Sequence, residues 1–126
     1  MADRFEQGMA TRRKVLGAEY VDSKLTDASS YGGVFQEFVT EGAWGTVWSR
    51  PQISHRERSM VTLALLAGLG NFEELALHTR ATANTGATPE DILEVMLHVA
   101  VYAGVPRANH AMKVVKEVLA EMEDGK

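Results

Sequence analysis

The chain contains no cysteine. That absence excludes a disulfide framework, Cys-ligated zinc, iron–sulfur clusters and every thiol-based mechanism. Proline is scarce, three in 126 residues. Each falls at a boundary: Pro51 after the Trp44-to-Arg50 stretch, Pro89 after Ala87-Thr88, and Pro106 after Gly104-Val105. Positive charge is not in excess either. Thirteen Lys and Arg face seventeen Asp and Glu, a formal net charge of −4, which leaves no electrostatic footprint for non-specific nucleic-acid binding. No stretch reaches the roughly 18 apolar residues of a transmembrane helix. The start, Met1-Ala2-Asp3-Arg4 followed by Glu6-Gln7, lacks the pattern of a secretory signal. The expectation is a cytoplasmic protein with neither nucleic acid nor membrane as partner.

What is present is an ordinary globular composition, 45% apolar and 24% charged, in a length that suits one domain over residues 1–126. The apolar residues recur at helical spacing without sustained two-residue alternation, which predicts an all-α domain of about six helices. They are expected near 3–20, 27–43, 54–69, 72–85, 89–103 and 106–122, with a loop through Trp44–Ile53. Ser54 with Glu57 has the spacing of a capping box, and Asn71 with Glu74 that of a looser one. Thr88-Pro89-Glu90-Asp91 offers an N-cap hydroxyl, proline at the first helical position and acids in the first turn. Pro106 suits a first helical turn, and Gly70 and Gly86 sit where left-handed C-terminal caps belong. The 89–103 segment is apolar around most of its circumference, and the 60–69 run nearly so. Covering both in a chain this small predicts a homo-oligomer.

His78 leads the candidates for chemistry. Glu74 lies four residues before it, so the two share a helix face. A carboxylate holding one imidazole nitrogen raises its pKa and frees the other nitrogen for proton transfer; the same spacing also describes a solvated surface pair. Glu57 is a second candidate, with a capping role as its alternative. Arg50, Arg56, Arg58 and Arg80 are the guanidiniums able to clamp a carboxylate through paired hydrogen bonds, although most arginines are solvated surface charges. Arg80 points off the His78 face, toward a subunit contact. Glu94, His98 and Tyr102 form a polar line at i, i+4, i+8, expected as a satisfied core network. His55 and His110 are isolated, with exposure expected. Trp44 and Trp48 can wall an apolar pocket beside Arg50 or pack against the helices. Metal ligation has weak support, since there is no HExxH pattern and no clustered set of histidines.

Several runs together carry a resemblance. They are Trp44-Gly45-Thr46-Val47-Trp48-Ser49-Arg50-Pro51, then Arg56-Glu57-Arg58-Ser59, then Glu74-Leu75-Ala76-Leu77-His78-Thr79-Arg80-Ala81. Asn84-Thr85-Gly86-Ala87-Thr88-Pro89-Glu90-Asp91-Ile92 and His98-Val99-Ala100-Val101-Tyr102-Ala103-Gly104-Val105-Pro106-Arg107-Ala108 complete the series. In this order, over essentially the whole chain, they resemble the 4-carboxymuconolactone decarboxylase family. The resemblance implies the helical fold shared with alkylhydroperoxidase D and a ring-like hexamer. The peroxidase branch carries Cys-x-x-Cys seven and four residues before its histidine. Here those positions are Asn71 and Glu74, which excludes peroxidase chemistry. An ungapped count places Ser59 where that branch has its glutamate, two residues after Glu57.

The implied substrate is an unsaturated lactone carrying a carboxylate and an acetate arm on one ring carbon. Loss of CO₂ pushes electrons through the ring double bond into the lactone carbonyl, so the substrate is its own electron sink and no cofactor is called for. Protonation beside the carbonyl then gives β-ketoadipate enol-lactone. In this scheme His78, held by Glu74, delivers the proton or polarises the carbonyl, with Glu57 a further catalytic candidate. Arg58 or Arg50 anchors the acetate arm, and Trp44 or Trp48 closes the apolar side. A related enzyme acting on another small carboxylated substrate, and a helical oligomer that binds without turnover, are the alternatives.

Overall fold

The computed structural model describes residues 3–25 and 30–125. Among them it is all-α, with seven α-helices and one π-helical segment and no strand. The chain divides into two compact units, one ending at Ser54 and the other beginning at His55. No helix among the described residues is long and apolar enough to cross a membrane.

The first unit opens with α1 (Arg4–Leu16), capped by Asp3, whose carboxylate accepts from the Phe5 N–H. The helix expected over 3–20 is broken at Gly17, whose φ of +94° is open to glycine at little cost. α2 (Ala18–Lys24) resumes beyond it, and α3 covers Ser30–Val39. The start of the helix expected over 27–43 lies outside the described residues. The expected loop from Trp44 is instead helical to Trp48, because α3 runs on into a π-helical segment, Thr40–Trp48. Hydroxyls favour that wider winding: Thr46 donates to the Glu41 carbonyl and Ser49 to the Trp44 carbonyl, each five residues back, at 2.9 and 2.7 Å. Two glycines let α1 lie directly on this segment. A Cβ at Gly8 would strike the Thr40 carbonyl, and one at Gly45 would strike the Arg4 carbonyl. Arg12, only 7% exposed, ties α1 to α3 by donating to Gln36 Oε1 at 2.9 Å.

The second unit is a four-helix assembly: α4 (His55–Leu69), α5 (Phe72–Thr85), α6 (Pro89–Tyr102) and α7 (Val105–Asp124). Leu63 and Ala67 of α4, Leu75 of α5, Ile92, Met96 and Val99 of α6, and Ala111 and Val115 of α7 form one continuous core. The expected punctuation holds at Thr88, where a complete capping box with Asp91 starts α6 behind Pro89. It holds also at Gly70 and Gly86, both at positive φ, and at Pro106 in the first turn of α7. Asn71 departs from expectation and gives no side-chain cap. Its N–H reaches the Leu66 carbonyl at 2.9 Å while Gly70 N–H reaches Ala67 at 3.2 Å, the paired bonds of a Schellman turn. Closing α4 holds Asn71 at φ −89°, ψ 72°, away from the extended geometry that an N-cap side chain needs.

The apolar helices behave as their composition anticipates. α6 buries Ile92, Val95, Met96 and Val99 yet leaves Leu93, Leu97 and Val101 exposed, and α4 exposes Val61, Leu65 and Leu69. The close approach in the first unit is directly testable. Replacing Gly8 with alanine drives a methyl group into backbone, at a cost of about 1–3 kcal/mol. Gly33→Ala, where a Cβ meets nothing within 4 Å, should be neutral or stabilising. Thermal melts of the two variants should separate clearly, with only the Gly8 variant losing stability.

Candidate active site

α5 is built to bury a polar face safely. Thr79 donates to the Leu75 carbonyl at 2.7 Å, Thr82 to the Thr79 carbonyl at 2.6 Å, and Thr85 shares a 2.7 Å hydrogen bond with Ser59 of α4. His78 sits beside this row, its Nδ1 shut off from solvent. Desolvation lowers its pKa to about 4, because burial strips water from the charged imidazolium form. The expected rise induced by Glu74 is therefore reversed in sign: burial governs this imidazole. Glu74 stands exposed in the first turn of α5 beside Glu73, where a carboxylate complements the helix dipole.

The Ser59–Thr85 bond also fixes how α4 and α5 pair. Ser59 is fully buried, its neutral hydroxyl locked in a hydroxyl pair. Arg58 precedes it and is half-buried, with its Nε out of solvent. From Thr85 back to His78 is two helical turns, about 10 Å of rise. Glu57 is exposed in the first turn of α4. Arg56 pairs with Asp91 through two hydrogen bonds of 2.8 and 2.6 Å. These bonds and the Thr88 cap hold the Asp91 carboxyl well below the usual range and raise the Arg56 guanidinium. The first turn of α4 is thereby fastened to the start of α6.

The remaining candidates fall elsewhere. Trp44 and Trp48 are buried in the first unit, 5% and 8% exposed, with ring centroids 5.1 Å apart; Arg50 is exposed two residues beyond. Arg80 pairs with Glu121 at 3.2 Å on the surface. Glu94, His98 and Tyr102 are exposed, so the buried network expected of them does not form; His98 and Tyr102 stack at 6.0 Å in the open. His110 is exposed but stacks on Phe72 at 3.9 Å. Among the described residues no three His, Asp or Glu side chains converge as a metal cage. Sequence reasoning missed the Ser59–Thr85 pair. Two small hydroxyl residues 26 positions apart give no local signal; only their place on facing helices does.

The second unit thus carries a desolvated histidine on α5 and a half-buried arginine on α4, side chains suited to hydrogen-bond donation and to anion binding. Comparison with known proteins goes further. Residues 34–117 match the model of the carboxymuconolactone decarboxylase family. The chain is 43% identical to a nitrosuccinic acid decarboxylase of Metarhizium robertsii, over 95% of this chain and 84% of that protein. It is 40% identical to a 4-carboxymuconolactone decarboxylase of Acinetobacter baylyi, over 94% of this chain and 89% of that one. The chain belongs to the carboxymuconolactone decarboxylase family.

Burial of His78 has a consequence for stability. The unfolded chain takes up a proton near 6.5, the folded chain only near 4. Unfolding therefore absorbs protons between those values, and stability falls as pH drops through the window, by on the order of 3 kcal/mol. Urea denaturation at pH 7 and pH 4.5 should show this loss in the native chain and a smaller one in His78→Gln.

Proposed function

We propose that this carboxy-lyase converts 4-carboxymuconolactone to β-ketoadipate enol-lactone without a cofactor, in the cytoplasm, within the protocatechuate branch of aromatic catabolism. Residues 1–126 act as one catalytic domain, in a homo-oligomer that we take to be a hexamer. The observation that carries the substrate is the 40% identity to a 4-carboxymuconolactone decarboxylase along nearly the whole chain. The observation that carries the mechanism is a histidine kept neutral by burial.

The chemistry follows from that protonation state. As the ring carboxylate leaves as CO₂, its electron pair moves through the double bond and negative charge grows on the lactone carbonyl oxygen. A neutral imidazole has one N–H to donate, and a desolvated donor stabilises a developing enolate oxygen far more than an exposed one does. His78 fills that role, rather than that of an imidazolium acid, since its pKa lies well below neutrality. The carbon beside the carbonyl then takes a water-derived proton, which completes the enol-lactone. Arg58 holds the acetate arm by paired hydrogen bonds. Glu74 and Glu57 keep their candidacy as catalytic residues beside His78. Arg50, Trp44 and Trp48 keep their candidacy for substrate binding from the first unit; the steps above use the second unit alone.

A second substrate is favoured by a specific observation, the 43% identity to a nitrosuccinic acid decarboxylase. Nitrosuccinate also carries one carboxylate beside an electron sink, here a nitro group, and a second carboxylate for an arginine. The same His78 N–H would meet a nitro oxygen in place of a carbonyl.

Mixing metal-stripped protein with the lactone should abolish its ultraviolet absorbance, and kcat/KM should favour the lactone over nitrosuccinate. A reversed preference would move the chain to the second substrate, and binding without turnover would remove it from catalysis. His78→Ala should lower kcat by about 100-fold or more. Arg58→Ala should raise KM by roughly 10- to 100-fold, whereas a change confined to the melting temperature would make Arg58 structural.

A further inference from the structure

Two apolar surfaces remain uncovered, one in each unit. On α3, Tyr31, Val34, Phe35 and Phe38 are 90%, 69%, 61% and 71% exposed. They follow i, i+3, i+4, i+7 spacing, the pattern by which a helix anchors in a groove. Three of the chain's nine aromatic residues thus stand in solvent on one ten-residue helix. In the second unit, α4 and α6 enclose a groove of about 340 Å³, floored by Gly68 and walled by Leu65, Leu69, Val99 and Tyr102. From Ser59 through Phe72, α4 and its following turn carry no charged residue. The groove is lined by apolar and small residues, with His98 as its one member that ionises near neutral pH, a surface that accepts aromatic side chains.

We infer that α3 of one copy of this chain docks into the α4–α6 groove of another. Area supports a second copy as the occupant. The four α3 side chains expose on the order of 500 Å², and Leu65, Leu69 and Tyr102 around the groove, all largely exposed, on the order of 400 Å² more, so one docking approaches the roughly 1,000 Å² that a specific interface needs. Each copy owns both a ridge and a groove, so every copy gives one contact and receives one, and the buried area doubles. Exposed patches of this size on a lone monomer are uncommon, and aromatic anchors in apolar pockets are where interface energy concentrates. The inference rests on the homo-oligomer proposed above and adds which surfaces make it.

The absence of native cysteine makes cross-linking clean. Phe35→Cys and Leu65→Cys, carried on separately tagged chains, are mixed and treated with a short bismaleimide, while light scattering gives the native mass. The expected result is a native mass above one chain and a covalent dimer holding both tags. Phe35→Asp should reduce the mass to one chain with its circular dichroism unchanged, since Phe35 is exposed. A mixed dimer absent while Leu97→Cys alone cross-links to itself would overturn the docking, in favour of α6 against α6, and leave the oligomer standing. Cross-linking confined within a chain carrying both cysteines would overturn it in favour of self-docking. A native chain that scatters as a monomer would remove both the docking and the oligomer, and would leave the decarboxylase reading untouched.

Discussion

The account depends on one desolvated imidazole. His78 shares α5 with threonines whose hydroxyls are satisfied by the turn before them or, for Thr85, by Ser59 across the helix pair. A polar face of that kind can be buried without solvating a charge, and the histidine inside it stays neutral as a result. The core of the second unit, the Schellman turn at Gly70 and the Ser59–Thr85 bond fix where α5 lies. A protonated His78 in the same place would hold a charge stripped of its water. A neutral one keeps one N–H to donate.

The substrate's own chemistry makes such a modest site sufficient. A lactone carbonyl or a nitro group accepts the electrons that decarboxylation releases, so the protein has to orient an anion, exclude water and meet a growing negative charge. Relatives of nearly equal similarity are named for different substrates. What the two substrates share is a departing carboxylate beside a sink and a second carboxylate to hold.

Much of the fold was legible from local signals. Helical spacing, the Thr88-Pro89 start and the glycines at 70 and 86 marked α4 to α7 to within two residues at either end, because each signal acts through neighbours in sequence. The first unit was less legible. Gly17 breaks a pattern that continues on both sides of it, and the π-helical winding at Thr40–Trp48 depends on hydroxyls reaching five residues back and on Gly8 and Gly45 admitting a close helix contact. For the site, His78 and Arg58 could be picked out as residue types, yet the sign of the imidazole's pKa could not. Helical spacing put Glu74 on the same face and favoured a raised value; burial, a property of the whole packed unit, drove it the other way. The polar line Glu94, His98, Tyr102 failed for the reverse reason. It lies on an apolar helix that is exposed along one side.

The most direct test is the protonation state of His78 itself. In nitrogen-15 NMR of the imidazole ring, followed from pH 8 down to the acid limit of folding, the account predicts a neutral ring throughout the physiological range and a midpoint near 4. A ring that titrates at 6.5 or above, with the charged form present at pH 7, would contradict it. His78 would then be a proton donor paired with an acid, and burial would no longer be the basis of the chemistry.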